Sequence, residues 1–263
     1  MVPDPKEARV HIDLNSDLGE GFGPWSMGDD AAMLSLVTSA NIACGGHASD
    51  PETMFKTLTL AKENGVTVGA HPGFNDREGF GRRVIAMSPA EIARMCVAQI
   101  GALQGIAALA GTHVAYVKPH GALGNLAAQD PSVAEAIAKA VQTVDTSLAI
   151  LAISGTHSEQ AARAIGQPVY SEIFADRGYL SSGQLVPRGQ DGAMIHDAAA
   201  AADRLLGYLE TGKMPVVDGA PIRLAAHSIC VHGDSPGAVA MAQEIKDRLT
   251  AAGVTIAPFL VPN

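Results

Sequence analysis

Short apolar runs of β-type composition alternate along the chain with stretches in which apolar residues recur at helical spacing. The runs at 9–14, 40–44, 66–70, 113–118, 148–153, 168–174, 222–230 and 254–259 are bounded by Gly, Pro or polar residues and predict eight strands. Between them, Asp50-Pro51, Ser88-Pro89, Asp130-Pro131 and Ser235-Pro236 each set a capping side chain before a proline at the first helical position. Such alternation predicts parallel strands joined by right-handed crossovers, and 263 residues suit one α/β barrel domain spanning 1–263. The segments 15–27, 72–87 and 175–195 lack periodicity and follow predicted strands, where the loops of a barrel build its active site.

Four apolar runs end in a histidine: ANIACGGH at His47, VTVGAH at His71, AYVKPH at His120 and SICVH at His232. Period-two alternation in the first strand sets Val10, Ile12 and Leu14 against His11, Asp13 and Asn15, with Asp17 and Glu20 following in a loop that carries Gly19, Gly21 and Gly23. Those glycines would let backbone N–H groups approach an anion; a solvated edge strand is the plainer alternative. The same parity puts Tyr116, Lys118 and His120 on one face, and Glu172 and Asp176 on another that ends at Arg177. For Lys118 and Glu172 the bland alternative is a buried structural ion pair. His227 and His232 have opposite parity, and His232, beside Gly233 and Asp234, is the one assigned to the site.

Histidines of this kind serve as general acid or base near neutral pH. A divalent metal held by His47, His71 and Asp13 or Asp17 is the minority alternative, since no HExxH-type spacing supports it. GYLETGKM at 207–214 mimics a phosphate-binding loop but has Met214 where Ser or Thr would bind magnesium, so Gly212 reads as a helix C-cap. No GxSxG elbow is present.

A net charge of −9 and the lack of a basic cluster argue against nucleic acid or an anionic membrane as the main partner. The opening MVPDPKEARV has no apolar signal core and no apolar stretch nears a membrane span, so a cytoplasmic location is expected. Cys44, Cys96 and Cys230 are too few and too dispersed for a disulfide framework or a paired zinc motif.

Taken in order, DLNSDLGEGFG (13–23), SANIACGGHASD (39–50), GAHPGF (69–74), GFGRR (79–83), VKPHGAL (117–123), EIFADRGYL (172–180), LVPRGQDGAMIHD (185–197) and CVHGD (230–234) resemble the LamB/YcsF family over about residues 10–260. That family corresponds to the A subunit of the bacterial, ATP-hydrolysing 5-oxoprolinases. The resemblance implies an irregular, seven-stranded (β/α) barrel like those of glycoside hydrolases and deacetylases. It also implies ATP-driven opening of the lactam of 5-oxo-L-proline to L-glutamate, with Mg2+ accompanying the nucleotide and two further subunits as partners; homo-oligomerisation stays open. Asp13, Asn15, Asp17, Glu20, His47, His71, Lys118, His120, Glu172, Asp176, Arg177 and His232 are then the catalytic candidates. Arg188 and Asp234 are candidates for the nucleotide. Two other readings are a metal-dependent carbohydrate deacetylase and a lactam-binding or assembly subunit without chemistry of its own. The chain departs from the family pattern at Gly124, where Tyr is usual, at Ser49, where Gly is common, and at Asp191, where Pro is frequent.

Overall fold

The computed structural model describes residues 11–234 and 237–260; residues 9 and 10 of the first predicted strand and the Ser235-Pro236 helix start lie outside them. In chain order the first elements are β1 (His11–Leu18), α1 (Asp30–Leu34), β2 (Ser39–Ala43), α2 (Pro51–Glu63), β3 (Thr67–His71) and α3 (Pro89–Ala110). Next come β4 (Val114–Val117), α4 (Gly121–Gln129), α5 (Pro131–Val144), β5 (Ala149–Ile153), α6 (His157–Ala164) and β6 (Val169–Phe174). The last are α7 (Ala198–Thr211), β7 (Lys213–Met214), β8 (Ile222–Arg223), β9 (Ser228–Cys230), α8 (Ala238–Ala251) and β10 (Thr255–Ile256).

Strands β1 to β6 lie side by side in sequence order, all parallel, and β9 pairs with both β6 and β1 to close a seven-stranded barrel. The closure puts Ser228 opposite both Asp13 and Glu172. This is the architecture that the resemblance implied, and it differs from the eight predicted strands in two places. The run at 222–230 divides, because Ile222–Arg223 pair antiparallel with Lys213–Met214 outside the barrel and only Ser228–Cys230 enter the wall. The run at 254–259 gives β10, which pads the start of β1, while Phe259 beyond it packs its ring 5.0 Å from Tyr116 and 4.9 Å from Tyr170.

The helix starts follow from their caps. Asp50 and Asp130 accept the first free N–H groups of α2 and α5, and Ser88 forms a reciprocal capping box with Glu91 at the start of α3. Gly111 and Gly212 end α3 and α7 in the left-handed conformation. Outward residues of the strands, including Leu14, Ile42, Val68, Val117, Ile173 and Ile229, are buried against helical stripes such as Met54, Leu58 and Ala61 of α2. Burying each Leu or Ile stabilises the fold by about 1.5–3 kcal/mol. Helix α3 alone among the described residues is long and apolar enough to cross a membrane. Its Ile92, Met95, Cys96, Ile100, Leu103 and Ala107 are instead buried in this protein's core.

Two glycine-type positions constrain the barrel and its loops. A Cβ on Gly69 would stand 2.2 Å from the ring of the fully buried Tyr116, so that ring can cross the barrel only because β3 carries no side chain there. Ser49 holds φ +77, a conformation suited to glycine, and its buried hydroxyl has no hydrogen-bond partner. The departure from Gly at this position therefore costs the fold energy. Ser49→Gly is expected to stabilise the protein by about 1 kcal/mol, the left-handed penalty less the extra chain entropy of glycine. Gly69→Ala is expected to destabilise it by about 1–3 kcal/mol through overpacking. Urea denaturation midpoints check both signs.

Candidate active site

Inside the barrel the inward side chains form polar layers. In the lowest, Asp13 accepts hydrogen bonds from Thr38 (2.6 Å), Ser39 (2.7 Å) and Ser228. Above it, Asn15 donates to Glu172 (2.9 Å) and Ser228 (2.6 Å), and Asn41 donates to Asn15 (2.7 Å) and Asp17 (2.8 Å). Tyr116 closes this layer by donating to Asn41 at 2.7 Å. Lys118, just past the end of β4, then places Nζ 2.9 Å from Glu172 Oε1 and 3.0 Å from Asp17 Oδ1, with Asn15 Oδ1 at 3.3 Å and Cys230 Sγ at 3.2 Å.

The C-terminal end of β3 and the loops after β2 and β4 bring histidines together above Lys118. His71 Nδ1 donates to the Lys118 carbonyl at 2.6 Å, and His120 Nε2 donates to the Phe80 carbonyl at 2.8 Å. The remaining nitrogens, His71 Nε2 and His120 Nδ1, face each other at 2.9 Å. Glu20 Oε1 lies 2.9 Å from His47 Nε2 and 3.3 Å from His120 Nδ1, while Asp17 Oδ2 lies 3.3 Å from His71 Nε2. The rings of His47 and His120 stack 3.6 Å apart. A Cβ on Gly73 or Gly81 would come within 2.6 Å of His47, so the β3–α3 loop reaches this cluster only through glycine. Glu20, His47, His71 and His120 thus form a buried cluster that could hold a metal ion.

Across the mouth, His232 Nδ1 donates to Asp176 at 2.8 Å, and its Nε2 lies 3.4 Å from Arg188. The two sides flank a cavity of about 390 Å³, lined among others by Asp17, Lys118, Glu172, His232, Arg82 and Arg188. Glu172 is fully buried and its Oε2 has no hydrogen-bond partner. Arg82 pairs with Asp234 at the rim.

Burial dominates the electrostatics. It raises the Glu172 carboxyl above its ordinary value against the pull of Lys118, and with Asp17 nearby it pushes Glu20 up to about 8. Burial also favours neutral Lys118, yet Asp17, Cys230 and Glu172 hold the ammonium well above its usual range. Asp17 moves the opposite way to Glu20, since His71 and Lys118 outweigh its burial. Burial and neighbouring histidines keep His47 and His120 well below the usual imidazole range. The Cys230 thiol is pushed up by burial and stays protonated.

Of the sequence candidates, the structure gathers Asn15, Asp17, Glu20, His47, His71, Lys118, His120 and Glu172 into one network, with Asp176 and His232 facing it. It does not bring Asp13 to that cluster. Asp13 is spent on three hydroxyls low in the barrel, so of the two carboxylates offered with His47 and His71 for a metal only Asp17 lies beside His71, and the cluster also takes in Glu20 and His120. Arg177 lines the cavity but spends its guanidinium on the Ala193 and Val186 carbonyls, which fixes the long β6–α7 loop. Two of the three glycine-loop N–H groups are likewise taken, Gly19 by Asp30 at 3.0 Å and Gly23 by Asp50 at 2.7 Å. His227 accepts the Ser171 N–H and is not part of the cavity lining. His11, which shares the parity of Asp13, is exposed at the start of β1. Sequence reasoning missed Asn41 and Arg82; polar Ser39 and Asn41 at period two in the apolar run SANIA were the available signal for the first.

Comparison with known proteins bears on what this site belongs to. The profile of the LamB/YcsF family matches residues 12–262. The A subunit of 5-oxoprolinase from Azorhizobium caulinodans is 52% identical over 248 residues, covering 94% of this chain and 98% of the relative. That of Rhodopseudomonas palustris is 49% identical, covering 95% and 99%. The crystal structure of a lactam utilization protein from Thermus thermophilus superposes with a TM-score of 0.89 at 42% identity, covering 94% of this chain and 99% of that one.

Lys118 is the ammonium shared by two buried carboxylates, so removing it leaves charges without a partner. Lys118→Met is expected to destabilise the protein by about 3–5 kcal/mol. Adding Glu172→Gln to that variant should recover part of the loss, a recovery that a double-mutant cycle in urea measures.

Proposed function

This chain belongs to the LamB/YcsF family, and on that premise we propose that it is one component of a multi-subunit, ATP-hydrolysing 5-oxoprolinase that opens 5-oxo-L-proline to L-glutamate. The observation that carries the reading is Glu172 Oε2, a buried acceptor without a partner on a residue that lines the cavity. A lactam N–H is the donor such an atom lacks. Glu172 then holds the ring N–H through Oε2, and the proton that the ring nitrogen gains as the C–N bond breaks is the one that His232 takes from water.

His232 faces the cavity from the other side. Asp176 fixes its Nδ1–H, which leaves the Nε2 lone pair to take a proton from an attacking water. Arg188 beside Nε2, with Arg82 at the rim, suits the carboxylate of the substrate or the phosphates of the nucleotide. Lys118 supplies positive charge where the lactam oxygen becomes negative.

ATP, when bound with Mg2+, would supply a phosphoryl group to that oxygen and so turn a poor amide electrophile into one that water can attack. The relatives are each named as one lettered subunit of an enzyme, which supports partner subunits for this chain, and the resemblance implies two of them. An ATP-coupled reaction also suits the cytoplasmic location expected from the sequence.

The test is glutamate formation from 5-oxoproline and ATP by the chain reconstituted with its partner subunits. His232→Gln and Glu172→Gln are each expected to lower kcat by about 10²–10⁴-fold. Unchanged turnover in both variants would show that the chemistry lies elsewhere.

A further inference from the structure

We infer that the centre between His71 Nε2, His120 Nδ1, Glu20 Oε1 and Asp17 Oδ2 is a binding site for a divalent transition-metal cation of the zinc or cobalt class. Carbonyl oxygens fix both tautomers: His71 Nδ1 must donate to Lys118 O and His120 Nε2 must donate to Phe80 O. The two nitrogens left over, 2.9 Å apart, therefore both present lone pairs in the neutral rings. Glu20 Oε1 belongs to the same cluster at 3.3 Å from His120 Nδ1, and Asp17 Oδ2 lies 3.3 Å from His71 Nε2. Two imidazole nitrogens and a Glu20 oxygen thus converge, with Asp17 Oδ2 beside His71.

A single extra proton would satisfy one of these contacts. A cation at the centre satisfies all of them together. Metal–ligand bonds of about 2.0–2.2 Å set neighbouring ligand atoms about 3 Å apart at right angles and about 3.4 Å apart in a tetrahedron. The observed separations of 2.9, 3.3 and 3.3 Å match those edges. Imidazole and carboxylate donors suit this class of metal, and imidazoles whose second N–H is held by a carbonyl have the outer support that ligating histidines require. Glu20 also holds His47 Nε2 at 2.9 Å, which places a third imidazole at the edge of the set. Asp17, His71 and His120 line the cavity, so an ion has a route in and a face toward substrate.

The full-length chain, stripped with a chelator and titrated with Co2+, provides a test that needs no turnover. About one ion per chain is expected, with the visible absorption of cobalt bound to nitrogen and oxygen and a rise in Tm. His71→Ala and His120→Ala are expected to weaken cobalt binding by more than about 100-fold, beyond the 10–100-fold typical of losing an outer partner. Glu20→Gln, which keeps side-chain volume, guards against a variant that fails to fold and is expected to weaken binding as well. His157→Ala, at the half-buried start of α6 and outside the cluster, should bind as the parent does. A parent chain that takes up no cobalt, or folded variants that keep parental absorption, would overturn the inference.

Discussion

The site rests on one ammonium buried inside a closed barrel. Lys118 reaches two carboxylates, from β1 and β6, the two strands that flank β9, and both are within 3.0 Å of it. Two buried acids with one buried base leave an excess of negative charge, and an interior of low dielectric makes that costly. The structure meets the cost in several ways: Asn15, Asn41 and Ser228 deliver hydrogen-bond donors, and the proton affinities of Asp17 and Glu172 diverge. The carboxyl that keeps its proton more readily is also the one whose second oxygen is unpaired beside the cavity. Stability and the proposed chemistry thus rest on the same ion-pair network.

The barrel supplies the order in which these groups appear. Apolar packing holds the outside of every strand, and a small plug of Tyr116, Ala149 and Leu151, packed with Tyr170 and Phe259, closes the interior from below. Polar layers then rise from Asp13 to the histidines. Each loop adds its group at the height where its strand ends, so Glu20, His47, His71 and His120 meet on one side and Asp176 and His232 on the other. Lining residues such as Arg82 and Arg188 complete the mouth with positive charge in a chain that is acidic as a whole.

Much of this was legible in the sequence because period-two parity is a local property. The pattern HIDLNSDL sets Asp13, Asn15 and Asp17 inward, and the runs ending at His47, His71, His120 and His232 mark the strand ends. Depth was not legible. Asp13 and Asp17 share a face and a chemistry, yet four residues of strand separate them by about 13 Å, so one serves hydroxyls at depth and the other reaches the mouth. Nor does parity say which loops become neighbours, since that depends on closure through β9, a strand of three residues cut from a longer apolar run. Ser49 shows the converse: its difference from the family pattern became physical only once its left-handed backbone was seen.

The central claim is that the cavity between Lys118 and His232 holds the lactam with its N–H on Glu172. A crystal structure of the chain with 5-oxo-L-proline tests it most directly. The account predicts the ring inside this cavity, its nitrogen within hydrogen-bond distance of Glu172 Oε2 and its carbonyl carbon facing His232. A lactam bound outside the cavity, or bound within it with its nitrogen turned away from Glu172, would contradict the account.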